Sequence, residues 1–138
     1  MKELERILLE GGHSIVVRSA DGVTHEFDGP GVSDLLRMVN GGSALLRGAQ
    51  AADKVVGKAA AALLVLGGVK SVWAGVVSQP AVALLRTHGV EVSWGVLADH
   101  IENRARSGWC PMETACRECV TAEECLRAIN DFVAAAKK

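Results

Sequence analysis

The sequence predicts a single mixed α/β domain over residues 1–138, a three-layer α/β/α sheet with an N-terminal β-hairpin and C-terminal helices. Two observations predict this class. A tight-turn signal near the N-terminus joins two short strand patterns, and an apolar run, Ser71–Val77, is followed by a helical segment and a second strand pattern, Val90–Trp94. A strand, helix and strand in this order form a right-handed unit, so these two strands should be parallel.

The N-terminal third predicts two helices and a hairpin. Apolar residues three and four positions apart indicate a helix over residues 3–10, which ends at a glycine pair. An Asp-Gly pair then separates two strand patterns, 14–18 and 23–27, and is a strong hairpin signal because both central residues of a type I′ turn need positive φ. A serine cap followed by periodic apolar residues predicts a second helix over 33–39.

The middle of the chain predicts a buried helix. Asp53 is a good N-cap, and the segment beyond Lys58 is apolar on every side. Pro80 suits the first turn of the helix that joins the two parallel strands. Residues 97–104 predict a further short helix before a break.

Two helix starts are predicted in the C-terminal segment. Pro111 suits the first helical position, and Glu113 is placed to reach back to the free backbone N–H of residue 110. Thr121 and the glutamate three residues later predict a capping box at the start of the last helix.

Charge and hydropathy restrict the class of partner. The 15 basic and 16 acidic side chains nearly cancel, so a broad electrostatic surface for nucleic acid or an anionic membrane is not expected. We expect a small-molecule ligand as partner, no nucleic acid and no membrane, and homo-oligomers are left open. The charged first residues and the short apolar stretch at 59–69 predict a cytoplasmic protein.

Three motifs occur in the same order as in a known family. They are Asp53-Lys54-Val55-Val56-Gly57-Lys58-Ala59, Asn103-Arg104 and Cys110-Pro111-Met112-Glu113. From about residue 12 onward the chain resembles the domain-of-unknown-function family 1893, whose members have a cytidine-deaminase-like fold and no established activity. The element order helix, hairpin, helix, strand, helix, strand, helix is similar to that fold. The resemblance therefore implies a cytidine-deaminase-like sheet.

The sequence departs from active zinc deaminases at both zinc motifs. Those enzymes carry His-x-Glu or Cys-x-Glu at the start of the buried helix and Pro-Cys-x-x-Cys after the central strand. Here the first motif reads Asp53-Lys54-Val55, and Ala81 and Leu84 stand where two thiolates would be needed. We therefore expect a binding protein on a deaminase-like scaffold rather than an active zinc-dependent deaminase.

The start of the buried helix is the predicted ligand site. Free N–H groups at a helix N-terminus attract anions, and Lys54 and Lys58 would share one helix face, so a small anionic or nucleotide-like ligand is predicted. Together with the family resemblance this gives the candidate binding residues Asp53, Lys54, Lys58, Asn103, Arg104, Cys110, Met112 and Glu113. One alternative is that the aspartate is only a cap and the lysines a solvated edge. The other is an enzyme of unknown reaction, with Glu113 or Asp53 as general base and Cys110 as nucleophile.

All four cysteines lie in the Cys-rich segment 109–138, as Cys110-x5-Cys116-x2-Cys119-x5-Cys125. Four thiolates brought together would suit tetrahedral zinc or an iron–sulfur cluster, so these four residues are candidate metal ligands. Cytosolic cysteines are also common as small buried hydrophobic residues. A Cys110 thiol at a helix start could instead be reactive or redox-active. The sequence leaves metal binding, packing and redox chemistry open.

Overall fold

The computed structural model describes residues 1–102 and 108–136, and within them the chain forms one five-stranded sheet and six α-helices. In chain order the elements are α1 (Lys2–Gly11), β1 (Ile15–Arg18), β2 (Thr24–Phe27), α2 (Ser33–Asn40), β3 (Gln50–Val56), α3 (Lys58–Gly67), β4 (Ser71–Ser78), α4 (Gln79–Thr87), β5 (Glu91–Ala98), α5 (Pro111–Cys116) and α6 (Ala122–Ala136).

The sheet combines an antiparallel hairpin with three parallel strands. Its strand order is β2-β1-β3-β4-β5, with β1 antiparallel to both of its neighbours. Strand β3 is parallel to β4, and β4 is parallel to β5. The predicted hairpin and the predicted parallel strand–helix–strand unit are both confirmed.

Helices cover both faces of the sheet. Helix α1 packs on one face, where Leu4 and Leu8 join Val16 and Ala52 in a small apolar cluster. The larger core lies on the other face, where α3 packs against α2, α4, α5 and α6. Helix α3 is buried as its apolar sequence predicts, and every residue in 59–64 belongs to the core. The predicted mixed α/β class, a sheet flanked by helices, is confirmed.

The predicted start of the buried helix is wrong. Asp53 lies inside β3 and is not an N-cap, and α3 begins five residues later at Lys58, after an extended Gly57. Strand β3 pairs with a neighbour on each side, so ladder hydrogen bonds override the weak strand propensity of its Ala, Asp and Lys residues. Lys54, which is exposed on this strand, therefore does not share a helix face with Lys58.

The short helix predicted from residue 97 is also wrong where the structure describes it. Leu97 and Ala98 continue β5, pairing with Val77 and Ser78, and residues 99–102 are irregular. Residues 103 and 104 lie outside the described residues. No helix within 1–102 and 108–136 is long and apolar enough to cross a membrane.

Candidate functional site

A mostly apolar cavity of about 290 Å³ opens where the end of β3 meets the starts of α3 and α5. Val55 and Gly57 contribute from the strand end and the turn after it, and Phe132 contributes from α6. The complete lining is Gly31, Val32, Val55, Gly57, Ala59, Ala60, Ile101, Cys110, Pro111, Met112, Glu113 and Phe132. Glu113 is the one charged side chain among these described residues.

The Glu113 carboxylate caps the N-terminus of α3. It is 4% exposed and accepts hydrogen bonds from the backbone N–H of Lys58 at 2.7 Å and of Ala59 at 3.1 Å. The prediction that Glu113 reaches back to residue 110 is wrong, because the Cys110 N–H donates instead to the carbonyl of Ile101 at 2.8 Å. A carboxylate from 55 residues away thus satisfies two free N–H groups at the positive end of α3.

Gly57 makes room for this cap. A Cβ atom at residue 57 would overlap all three atoms of the Glu113 carboxyl group. Its backbone φ is negative, so the requirement for glycine is steric and not conformational. Gly57 therefore fixes how closely α5 approaches α3.

The Lys58 side chain makes a second link between the same two helices. Its Nζ donates to the carbonyl of Arg117 at 3.3 Å and to the carbonyl of Cys119. These carbonyls follow the C-terminal end of α5, where a cation interacts favourably with the helix. Lys58 and Glu113 thus cap each other's helices. The ammonium group of Lys58 is hydrogen-bonded to backbone carbonyls of the protein itself.

The structure brings together only part of the predicted ligand site. Cys110, Met112 and Glu113 line the cavity, whereas Lys58 lies beside it with its ammonium group turned to α5. Neither of the two β3 candidates belongs to the lining. Asn103 and Arg104 lie outside the described residues. The backbone groups predicted to bind an anion are occupied by Glu113.

Asp53 lies on the sheet face that carries the larger core. Its ladder partners Ile15 and Ala74 are both buried there. Burial raises the pKa of Asp53 to about 7, although the N–H groups of Val55 and Lys54 oppose this by hydrogen bonding to the carboxylate. The folded chain therefore holds a proton that the unfolded chain releases near pH 4, so this group makes stability fall as pH rises from about 4 to about 7.

A stacked tryptophan positions the start of α5. The Trp109 ring stacks on His100 with centroids 4.8 Å apart, and the Arg117 guanidinium lies 4.6 Å from the Trp109 ring centroid. Glu102 forms an isolated bridge with Trp109. These contacts hold the backbone on both sides of residues 103–107 next to the cavity wall at Cys110.

The sequence reasoning missed Val55, Gly57 and Phe132 as members of the cavity. Gly57 stood within a quoted motif, and a glycine directly before a buried helix was the available signal. Val55 belongs to the same motif and Phe132 to none, and neither was singled out because an apolar residue on a strand end or helix face is ordinarily attributed to the core.

Ala81 and Leu84, the two residues that the sequence sets against the thiolates of zinc deaminases, are buried in the first turns of α4. The N–H of Ala81 is capped by the Ser78 hydroxyl at 3.3 Å. Together with their apolar side chains, this makes the start of α4 part of the core and not a metal-binding wall.

Three of the four cysteines meet between α5 and α6. Cys116 and Cys125 are buried, and Cys119 is half-buried in the turn between the helices. The Cys116 thiol donates to the carbonyl of Cys125 at 3.9 Å. The predicted start of α6 is confirmed, since Thr121 accepts a hydrogen bond from the Glu124 N–H at 3.1 Å.

The three thiols perturb one another. The neighbouring Cys116 thiol and the Lys58 charge, with a smaller contribution from Cys119, lower the pKa of Cys125 to about 7 against the effect of burial. The hydrogen bond to Cys125 and burial raise the pKa of Cys116, and burial and the Cys125 charge raise the pKa of Cys119.

Cys110 lines the cavity, whereas Cys116, Cys119 and Cys125 lie where α5 packs against α6. In the part of the chain that the structure describes, no group of three or more His, Cys, Asp and Glu side chains is arranged to hold a metal ion. A zinc or iron–sulfur site at Cys110, Cys116, Cys119 and Cys125 stays a prediction.

The fold and cavity define a mixed α/β domain with a mostly apolar cavity beside the start of α3. Residues 3–133 match the family described as TM1506, domain of unknown function (DUF1893). The chain therefore belongs to this family, as the resemblance of its three motifs implied. Comparison with curated proteins finds no match.

Two solved structures from Thermotoga maritima are similar. A DUF1893 family protein (TM1506) is 25% identical with a TM-score of 0.83, over 96% of this chain and 91% of that one. A diaminohydroxyphosphoribosylaminopyrimidine deaminase/5-amino-6-(5-phosphoribosylamino)uracil reductase is 23% identical with a TM-score of 0.42, over 69% of this chain and 35% of that one.

Proposed function

We propose that the chain is a small-molecule-binding protein whose ligand occupies the cavity beside Glu113. The observation that carries the proposal is a buried carboxylate in the wall of an otherwise apolar cavity. Ligand sites are typically apolar concavities with a few placed polar groups, and 290 Å³ is near the lower end of their usual size. A single ring system of nucleobase size suits this volume better than a whole nucleotide.

The negative charge of Glu113 in the cavity wall restricts which ligands can bind. Glu113 accepts two backbone hydrogen bonds, and a carboxylate has about four lone-pair sites, so it retains capacity for donors on a ligand. An anionic group placed beside it would be repelled. We therefore revise the expected ligand from an anion to a neutral or cationic heterocycle that presents N–H donors to Glu113.

The proposal is tested by thermal unfolding in the presence of free nucleobases and nucleosides, with ligand-observed NMR as a second readout. Binding to the folded state alone raises the melting temperature by mass action. Val55→Trp should abolish the shift by filling the cavity mouth. Val23→Trp is the matched control, because Val23 lies in the hairpin outside the cavity lining and is 49% exposed against 46% for Val55.

A shift that survives Val55→Trp, or that disappears equally in Val23→Trp, would place binding elsewhere. The absence of any shift or NMR signal with the whole panel would overturn the nucleobase-sized ligand.

A second candidate is an enzyme that uses Cys110 and Glu113. The observation that favours it is that both side chains line the same cavity. Cys110→Ser separates the two candidates, since binding alone should persist in this variant while turnover of a bound compound should stop.

A further inference from the structure

A groove lies between α2 and α6, next to the cavity beside Glu113. Both helices pack on α3, and the space between them has a volume of about 750 Å³. Its walls are mostly apolar, with Leu36 from α2 and Val133 and Ala134 from α6. Concave, mostly apolar surfaces with a few polar groups are typical of ligand-binding sites.

The groove adjoins the cavity. Gly31, Val32 and Met112 line both spaces. Methionine is unbranched and flexible and adapts to different shapes, so the Met112 side chain can make room for a ligand at this junction. A ligand whose ring occupies the cavity can therefore extend a substituent into the groove.

Two asparagine amides bridge the groove at the C-terminal end of α2. Asn40 Nδ2 donates to Asn130 Oδ1 at 2.9 Å, and Asn130 Nδ2 donates to Asn40 Oδ1 at 3.2 Å. This exchange leaves one N–H donor and one acceptor site on each amide for a further partner. Helix α2 spans Ser33–Asn40, and at about 1.5 Å per residue the amide pair lies about 10 Å from the end of the helix that borders the cavity.

We propose that the ligand of the cavity carries an apolar chain of about 10 Å that lies in this groove and ends in a neutral hydrogen-bonding group bound by Asn40 and Asn130. The inference rests on the function proposed above, because the ring of the same ligand occupies the cavity beside Glu113. A neutral end group is favoured because the one cation in the groove lining, Arg37, is already paired with Asp34 at 2.9 Å.

The length and polarity of the groove give the proposal measurable consequences. A chain of 10 Å is about eight carbons long in its extended form. Burial of each CH₂ group should raise the affinity by up to about fourfold. A neutral hydrogen bond to the amide pair should add about fivefold.

The test measures affinities by isothermal titration calorimetry for 9-alkyladenines with straight chains of about two to ten carbons. Their exocyclic amine supplies an N–H donor for Glu113. We expect the affinity to rise with each added carbon up to about eight and then to level off. At the optimal length, a terminal carboxamide in place of the methyl group should bind about fivefold more tightly.

A matched pair of variants tests the position of the chain. Ala134 and Ala135 are adjacent and exposed on α6, and of the two only Ala134 lines the groove. Ala134→Trp should make the affinity level off at a shorter chain and leave the affinity for 9-methyladenine unchanged. Ala135→Trp should keep the chain-length profile of the wild type. Asn130→Ala should remove the advantage of the carboxamide and leave the affinity for methyl-ended chains unchanged.

The outcomes separate this inference from the proposed function. Binding of 9-methyladenine with no effect of chain length, or an equal effect of the two tryptophan variants, would overturn the inference and leave the function standing. Octanamide binding that Val55→Trp does not alter would make the groove an independent site and would also overturn the inference. If no member of the series binds, the proposed function fails together with the inference.

Discussion

Removal of the Glu113 carboxylate should strongly destabilise the fold. Glu113→Ala leaves the N–H groups of Lys58 and Ala59 without their acceptor at the start of a buried helix. A hydrogen bond to a charged group contributes about 1.5–3 kcal/mol, so the loss of two should cost about 3–5 kcal/mol. Domains of this kind are stable by only about 5–15 kcal/mol, so the variant should be close to unfolding.

Urea unfolding followed by tryptophan fluorescence measures this loss. Glu113→Gln keeps one carbonyl acceptor and should lose about half as much, which provides a measurable value if the alanine variant does not fold. Glu118→Ala is the matched control, because Glu118 is exposed just beyond α5. A loss below about 1 kcal/mol for Glu113→Ala, or an equal loss for Glu118→Ala, would refute the capping role.

Two further predictions test the buried strand and the turn after it. Asp53→Asn should raise the free energy of unfolding by about 1–2 kcal/mol at pH 8 and leave it unchanged below pH 4, since only the ionised carboxylate is penalised by burial. The Asp53 side chain is half-buried, so solvent reduces this effect below the value that its pKa alone would give. Denaturation across this pH range measures the effect, with exposed Asp131→Asn as control; a variant no more stable than wild type at pH 8 would contradict it. Gly57→Ala should lower the free energy of unfolding by about 2–3 kcal/mol, because the added Cβ displaces the Glu113 carboxyl group. The loss should be far smaller when Glu113 has already been replaced by alanine. Gly108→Ala, where a Cβ meets nothing within 4 Å, is the control, and an equal cost in both Glu113 backgrounds would show that the overlap does not matter.

Elements encoded by local patterns were predictable from the sequence. The hairpin, the apolar strand β4, the helix after it and the Thr121 cap each depend on residues within a few positions of one another, and all are confirmed. The family was also predictable, because its motifs are contiguous segments of sequence. Of the candidate binding residues, Cys110, Met112 and Glu113 line one cavity beside the start of α3, and their role in binding a ligand stays a prediction.

Strand β3 shows where local reasoning fails. Its sequence contains Ala, Asp and Lys residues that favour other structures as readily as a strand, and Asp53 has the form of a helix cap. Pairing with β1 and β4 decides its conformation, and those partners lie more than ten residues away in the chain. The same pairing separates Lys54 from Lys58 and removes the predicted two-lysine anion site.

By itself the sequence determined the class of fold, the family and the absence of zinc-ligand residue types at Ala81 and Leu84, because these depend on residue identity and short-range spacing. Only the tertiary structure decided what Glu113 and Lys58 do. Their partners are backbone atoms 54 to 61 residues away, and a backbone N–H or carbonyl leaves no trace in a sequence pattern. It also decided that three cysteines meet while Cys110 faces the cavity, since the path of the chain between α5 and α6 sets which sulfurs come together.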